Sequence, residues 1–197
     1  MKNAAEFSLV QTGMHFDCSR GGADRYFGEL LRALGDAGIT CQAAAFGSPP
    51  SGSPHRLTSL GPDDAPLHAR LMALRRYGRE VLQSATPSVF AWHFALYGGA
   101  ALPGHVRCGT VAHFHGPWGA ESEAEGASWP VVAAKTWIER RVLRRANRVI
   151  TLSSAFGDLV QRQFAIPRER IRVIPPSVDL ERFVPVEKAV ARRSLGW

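Results

Sequence analysis

"SRGGADRYFGELLRAL" spans residues 19–34 and joins an apolar stretch to a helical pattern through a pair of glycines. Phe27, Leu30, Leu31 and Leu34 fall at i, i+3, i+4 and i+7, one face of a helix, and Gly35 and Gly38 stand where it would end. The preceding run, "FSLVQTGM" (7–14), suits a buried strand. Strand, glycine corner and amphipathic helix together make the opening unit of a parallel α/β sheet. In such sheets ligands bind beyond the carboxyl ends of the strands. Unpaired N–H groups of the helix start point outward there, and the helix dipole favours an anion. Side chains at 21 and 22 would hold a phosphate away, so Gly21 and Gly22 are read as giving access and as permitting φ > 0. A tight turn without a ligand stands beside that reading. The stretch is neither G-x-G-x-x-G nor G-x-x-x-x-G-K-[ST], so the dinucleotide and P-loop motifs give no support.

The remaining chain repeats the alternation. "ITCQAAAF" (39–46) reads as a strand, and the Pro-, Gly- and Ser-rich residues 47–66 as a long loop. "LHARLMALRRYGREVLQSA" (67–85) reads as a basic amphipathic helix with Leu67, Leu71, Leu74 and Leu82 among its apolar positions. "SVFAW" and "VRCGTVAHF" (106–114) are strands. "VVAAKTWIERRVLRRA" (131–146) is helical, with Ala134, Ile138 and Val142 on one face and Trp137 beside them. After the strand "RVITL", Ser153 is placed to cap a helix carrying Phe156, Leu159, Val160 and Phe164, and "IRVIPP" is a last short strand. Uninterrupted apolar strands alternating with helices predict an α/β, Rossmann-like, mainly parallel sheet with helices on both faces.

The chain has 197 residues and a formal net charge of +7, with 24 Lys+Arg against 17 Asp+Glu. That balance suits anionic partners: phosphates, nucleic acid or a membrane surface. Nucleic acid is not expected, because no recognition motif or aromatic-studded basic platform is evident. Arg70, Arg75, Arg76 and Arg79 in helix 67–85 suggest peripheral contact with anionic lipid at the inner membrane face. An ordinary helix packed on the sheet is the alternative. Cys18, Cys41 and Cys108 show no C-x-x-C spacing, which points to a reducing compartment. The N-terminus is too polar for a signal peptide, and no apolar run approaches the ~20 residues of a membrane span. A soluble cytoplasmic protein is expected.

Two further loops follow strands. "WHFALYGG" places His93 just beyond one, and "AHFHGPWG" places His113, His115, Gly116 and Pro117 at the end of another. His113 and His115 share a side if the strand runs through them. With His93 they could form a three-histidine zinc site, but the sequence places no fourth partner nearby. Histidines lining a polar cleft are the preferred reading.

"RGGADRYFGELLRAL", then "HFHGPW", then "RRANRVITLSSAFGDLVQRQFAIPRERIRVIPPSVDLERF" resembles, in order and spacing, the N-terminal half of the family-four glycosyltransferases of the two-Rossmann-domain GT-B fold. The resemblance covers nearly the whole chain. It implies residues 1–180 as a Rossmann-like, acceptor-side domain and 181–197 as the start of a linker to a donor-binding domain that is not present. It also implies bacterial origin and transfer of a sugar from a nucleotide diphosphate sugar to an acceptor hydroxyl, with retention and without metal or cofactor. The acceptor would be a sugar, a lipid-linked group or a small molecule. Gly21, Gly22 and Arg25, with Arg20 nearby, would meet the donor diphosphate. His115 would be the catalytic-site histidine near the transferred sugar. His93, His113, Gly116 and Ser153 would line the cleft. Pro176 and Ser177 depart from the family's Asn-Gly, which puts the interdomain turn in doubt. A chain without the donor half is expected to be nearly inactive alone. A non-catalytic GT-B-like binding module or partner subunit is the alternative, and a zinc hydrolase a more distant one.

Overall fold

The computed structural model of the chain describes residues 8–84, 87–102, 104, 106–176, 178 and 183–197. The apolar runs become β1 (Leu9–His15), β2 (Gln42–Phe46), β4 (Val89–Trp92), β5 (Gly109–Phe114), β6 (Arg148–Thr151) and β7 (Ile171–Val173); a further strand, β3 (Arg56–Ser59), adds to one edge, and all seven pair in parallel. Their order is β3-β2-β1-β4-β5-β6-β7. The chain therefore winds one way from β1, returns to β1's other edge, and winds the other way from β4. Thr12 pairs with Ala44 on one side and with Trp92 on the other. The two crossovers part at the β1–β4 boundary and open a crevice beyond the strands' carboxyl ends.

The pleat sorts side chains onto two faces. Ala43 and Ala45 of β2 join Phe16, Phe27, Leu31 and Cys41 under α1 (Gly22–Asp36). Ala44 and Phe46 join a larger core with Val10, Leu74, Phe90, Trp92, Phe114, Val149 and Phe164. To it α2 (Leu67–Ser84) contributes Leu74, Tyr77 and Val81, and α3 (Ala95–Ala101) contributes Tyr97 and Ala101. Val142 and Leu143 of α5 (Trp129–Arg145) and Val160 and Phe164 of α6 (Ser154–Phe164) complete it. Period-two burial along each strand is what lets one strand serve both cores.

Several elements lie where the sequence reads as loop. β3 sits inside residues 47–66 as a four-residue, half-exposed edge strand, too short and polar for an apolar run. α3 occupies most of the loop after His93, where its glycines disguise it; Gly98 lies so close to the Trp92 indole that a Cβ would stand 2.4 Å from a ring carbon. α4 (Trp118–Ala124) follows Pro117, and α7 (Lys188–Ser194) falls in the stretch read as linker. The buried face of α5 also differs. Glu139, Val142 and Leu143 turn inward, whereas Trp137 is 61% exposed with the Arg141 guanidinium 5.5 Å above its ring. The expected boundary at 180/181 and Ser177 fall outside the described residues.

Residue 78 makes α2 and α3 touch. A Cβ on Gly78 would lie 2.1 Å from the Ala101 carbonyl oxygen, a backbone atom that cannot swing aside. Gly78→Ala therefore loses more by forcing the helices apart, about 1–3 kcal/mol, than the roughly 1 kcal/mol that alanine gains in helix propensity. Urea unfolding is expected to show a lower midpoint at unchanged slope; an unchanged or higher midpoint would contradict this packing.

Candidate functional site

The glycine corner leads directly into α1. Gly21 has φ 177° and ψ 173°, an extended backbone open to any residue, so the expected need for φ > 0 is not met. Nor does crowding call for glycine, since a Cβ at Gly21 or Gly22 would meet nothing within 4 Å. What the pair leaves is an uncovered helix start. No side chain caps it, and the first N–H groups of a helix lack partners within the helix.

A buried network holds that corner to the sheet. Asp24, in the first turn of α1, is 3% exposed. Its carboxylate accepts from the His15 backbone N–H at 2.9 Å and from His15 Nδ1 at 3.1 Å. Arg70 of α2 lies 3.0 Å from His15 Nε2. A guanidinium can only donate, so Nε2 accepts and the His15 proton sits on Nδ1, facing Asp24. Arg70 also donates to the Tyr97 hydroxyl at 3.0 Å and to the carbonyls of Asp63 and Ala65, and it covers the Phe46 ring. This overturns the expectation that Arg70 faces lipid. The apolar stripe of α2 is packed in the core as well, which leaves Arg75, Arg76 and Arg79 outside with Leu67 and Met72.

At the carboxyl ends of β4 and β5 the three histidines converge, His113 within β5 and His93 and His115 just past the strands. The His93 and His113 rings stack at 4.1 Å and 12°, and His115 lies nearly parallel to His93 at 5.4 Å. Tyr26 of α1 covers all three, with centroid distances of 5.8, 5.7 and 5.0 Å, and Phe27 meets His93 edge-on. His93 Nε2 is 3.0 Å from Gln11 Oε1, and His93 Nδ1 is 3.2 Å from His115 Nε2. The Nδ1 atoms of His113 and His115 are buried without a partner. Burial, then repulsion from the neighbouring rings, pushes His93 well below the usual histidine range. Burial lowers His113 to about 3 and His115 to about 4, the latter partly offset by Asp24. All three are neutral at pH 7. Face-to-face stacking does not converge ring nitrogens on a point, and among the described residues no group of His, Cys, Asp or Glu is arranged to hold a metal. The zinc alternative fails on that geometry.

The rings line a cleft of about 490 Å³ together with Met14, Gly22, Gly116, Trp118 and Glu139. A Cβ on Gly116 would lie 2.1 Å from Glu121 Oε1, the tip of a flexible side chain that would have to move aside. Glu139 reaches from α5 to accept from the backbone N–H groups of Trp118 and Gly119 at 2.9 and 3.1 Å, fixing α4 as one wall. Burial raises its pKa against the pull of those two donors. Gly22 also lines a second groove, of about 320 Å³, with Arg25, Tyr26 and Ile174–Pro176.

Of the other expected residues, Arg25 is exposed, its guanidinium 5.6 Å from the Phe183 ring centroid. Arg20 is held 2.9 Å from the Asp63 carboxylate. Ser153 caps α6, accepting from the Phe156 N–H at 3.2 Å, and is not among the residues lining the histidine cleft. Gln11, Tyr26 and Glu139 are the site residues that sequence reasoning missed. Each looks like core or helix surface until neighbouring strands bring it to the histidines.

A parallel sheet wound in both directions, with an open glycine corner facing a histidine cleft at the switch point, defines the Rossmann-like N-terminal domain of a GT-B glycosyltransferase fold. The chain belongs to Glycosyltransferase Family 4, whose family model matches residues 20–182. It is 38% identical over 58 residues to D-inositol 3-phosphate glycosyltransferase of Actinosynnema mirum, a match covering 29% of this chain and 14% of that protein. It superposes on sucrose-phosphate synthase of Thermosynechococcus elongatus with a TM-score of 0.72 at 19% identity, covering 97% of this chain and 53% of that one. Anabaena Alr3699/HepE, solved in complex with UDP and glucose, gives 0.59 at 16% identity, with 96% and 50% covered. The chain thus spans about half the length of these solved structures. Among the described residues no helix is long and apolar enough to cross a membrane.

The neutral histidines carry a pH dependence. Their folded pKa values lie below the unfolded value of 6.5, so their contribution is complete above that pH and is lost as pH falls toward about 4. Each lowers unfolding free energy by up to about 1.4 kcal/mol per pH unit in that window. Urea unfolding at pH 7, 6 and 5 is expected to show this decline, and His115→Gln to reduce its slope by about a third. A flat profile would mean that the rings are not buried as a neutral stack.

Proposed function

We propose that this chain is the acceptor-side half of a retaining, metal-independent glycosyltransferase that uses a nucleotide diphosphate sugar as co-substrate and needs no cofactor. The single observation that carries the proposal is the uncapped start of α1 opening, past two bare glycines, onto three uncharged histidines. The two features divide the work by charge. Leaving diphosphate develops negative charge, which the N–H groups of Gly22 and Ala23 meet with no solvent reorganisation, assisted by Arg25. A neutral imidazole does not compete for that anion, so His115 lies at the transferred sugar and exchanges hydrogen bonds with its hydroxyls. His93, His113 and Gly116 shape the side where the acceptor hydroxyl enters, and Ser153 serves only by holding α6 in place.

The likeness to Alr3699/HepE, solved with UDP and glucose, supports a nucleotide sugar as donor. A second Rossmann domain facing the crevice would hold the nucleotide, and the present chain alone would bind donor weakly. The acceptor is a hydroxyl on a sugar, a lipid-linked group or a small molecule. The reaction is placed in the cytoplasm, and the proposal calls for no membrane contact through α2.

Gly22→Val tests the corner, because a Cβ at 22 meets no protein atom within 4 Å and the thermal midpoint reports any effect on folding. With a family-four donor domain fused or co-expressed, the native chain is expected to transfer or hydrolyse at least one nucleotide sugar in a screen. Gly22→Val is expected to lower that rate by about tenfold or more, at unchanged thermal midpoint, by holding the diphosphate off the helix N–H groups. Full activity in the valine variant would remove the corner from the site. No turnover with any donor domain would favour a non-catalytic binding module.

A further inference from the structure

A line of hydrogen bonds runs from the middle of β1 to the cleft. Gln11 lies in the middle of β1, 3% exposed, and its Oε1 atom faces His93 Nε2 at 3.0 Å. An amide oxygen can only accept, so His93 carries its proton on Nε2. A neutral imidazole has one N–H, which leaves His93 Nδ1 as a bare lone pair. That lone pair is 3.2 Å from His115 Nε2, which must then be the protonated nitrogen of His115. The consequence appears at the end of the line. His115 Nδ1 is bare, buried and without a partner in the protein, on a side chain that lines the 490 Å³ cleft.

We propose that Gln11 is a positioning residue that acts through His93 to set the tautomer of His115, so that His115 offers the ligand an acceptor lone pair and not an N–H. The relay rests on the glycosyltransferase reading for its purpose, though not for its existence. An acceptor at this place suits a hydroxyl of a sugar and repels a phosphate oxygen, which brings no hydrogen to share. Nδ1 is closed to solvent in the free protein, so its desolvation is already complete, and such a hydroxyl would satisfy it once the adjoining cleft wall gives way to admit it. Turning the Gln11 amide end for end would reverse every proton along the line and leave His115 presenting an N–H. The strand that fills the core at Val10 therefore also determines, one residue later, what the cleft can recognise. Because burial keeps both rings neutral, neither can donate at both nitrogens and blur the relay.

Histidine tautomers are read directly by long-range ¹H–¹⁵N correlation on the ¹⁵N-histidine-labelled chain at pH 8, with His115 signals assigned by their loss in His115→Gln. Without any ligand, His115 is expected to show one tautomer, protonated at Nε2 and bare at Nδ1. Gln11→Met keeps length and removes the acceptor; its His115 ring nitrogens are expected to move toward a mixed-tautomer average. Gln11→Glu restores an acceptor and is expected to restore the single pattern. A native spectrum with the proton on His115 Nδ1 would overturn the relay even if neither variant folds. An unchanged His115 pattern in Gln11→Met, or a mixed one in Gln11→Glu, would overturn the part played by Gln11. These spectra need no turnover. An intact pattern in a chain that transfers no sugar with any donor domain would count against the glycosyltransferase reading alone.

Discussion

A carboxyl group buried as deeply as Asp24 has to be met by hydrogen bonds, and meeting it organises this end of the molecule. Asp24 draws in the His15 backbone and ring, His15 draws in Arg70, and Arg70 gathers Tyr97, the Phe46 face and two carbonyls of the loop before α2. The first turn of α1 is thereby tied to β1, α2 and α3 at once. The glycine corner gains its position from neighbours on every side and none of its own contacts, as an opening for a ligand must. Removal of the His15 ring would leave a buried Asp24 oxygen without its partner, a defect of about 1–3 kcal/mol.

The switch point of the sheet explains why the histidines stand where they do. β1 and β4 are adjacent in space but separated by two helices in sequence, and their carboxyl ends send the chain in opposite directions. Gln11 and His93 meet across that boundary, and His113 and His115 join from β5. Stacked, buried and covered by Tyr26, the rings remain uncharged, with Asp24 offsetting only part of the shift at His115. Charge is instead concentrated at the helix start and along arginine-bearing surfaces. The proposed transfer of a sugar from a diphosphate would use that arrangement, an open helix start beside uncharged rings.

Much of this architecture was legible in the residues. The apolar runs marked all strands except β3, and the i, i+4 patterns marked α1, α2 and α6, because core strands and amphipathic helices must be apolar where they are buried. β3, α3 and α4 escaped because short elements at edges and rims are stabilised by neighbours and not by their own pattern. α5 was found with Ile138 and Val142 on its inner face as expected, but Ala134 and Trp137 lie outside and Glu139 and Leu143 lie within. Glu139 is buried to hold α4, while Trp137 lies outside, and no periodicity distinguishes a carboxylate that caps another helix from one that faces water.

The sequence by itself determined the α/β class, the glycine corner, the histidines after β4 and β5, and the Ser153 cap, since each rests on local geometry: period, turn chemistry or a side chain reaching its own backbone. Only the tertiary structure decided that Arg70 points inward, that the glycines need no special backbone angle, that the histidines stack in a neutral line, and that Gln11 and Tyr26 belong with them. Those facts depend on contacts between residues far apart in the chain, such as Gln11 with His93 and Tyr26 with His115. The direction of a proton between two rings is set by whatever atom lies at the far end, and that atom is supplied by another strand.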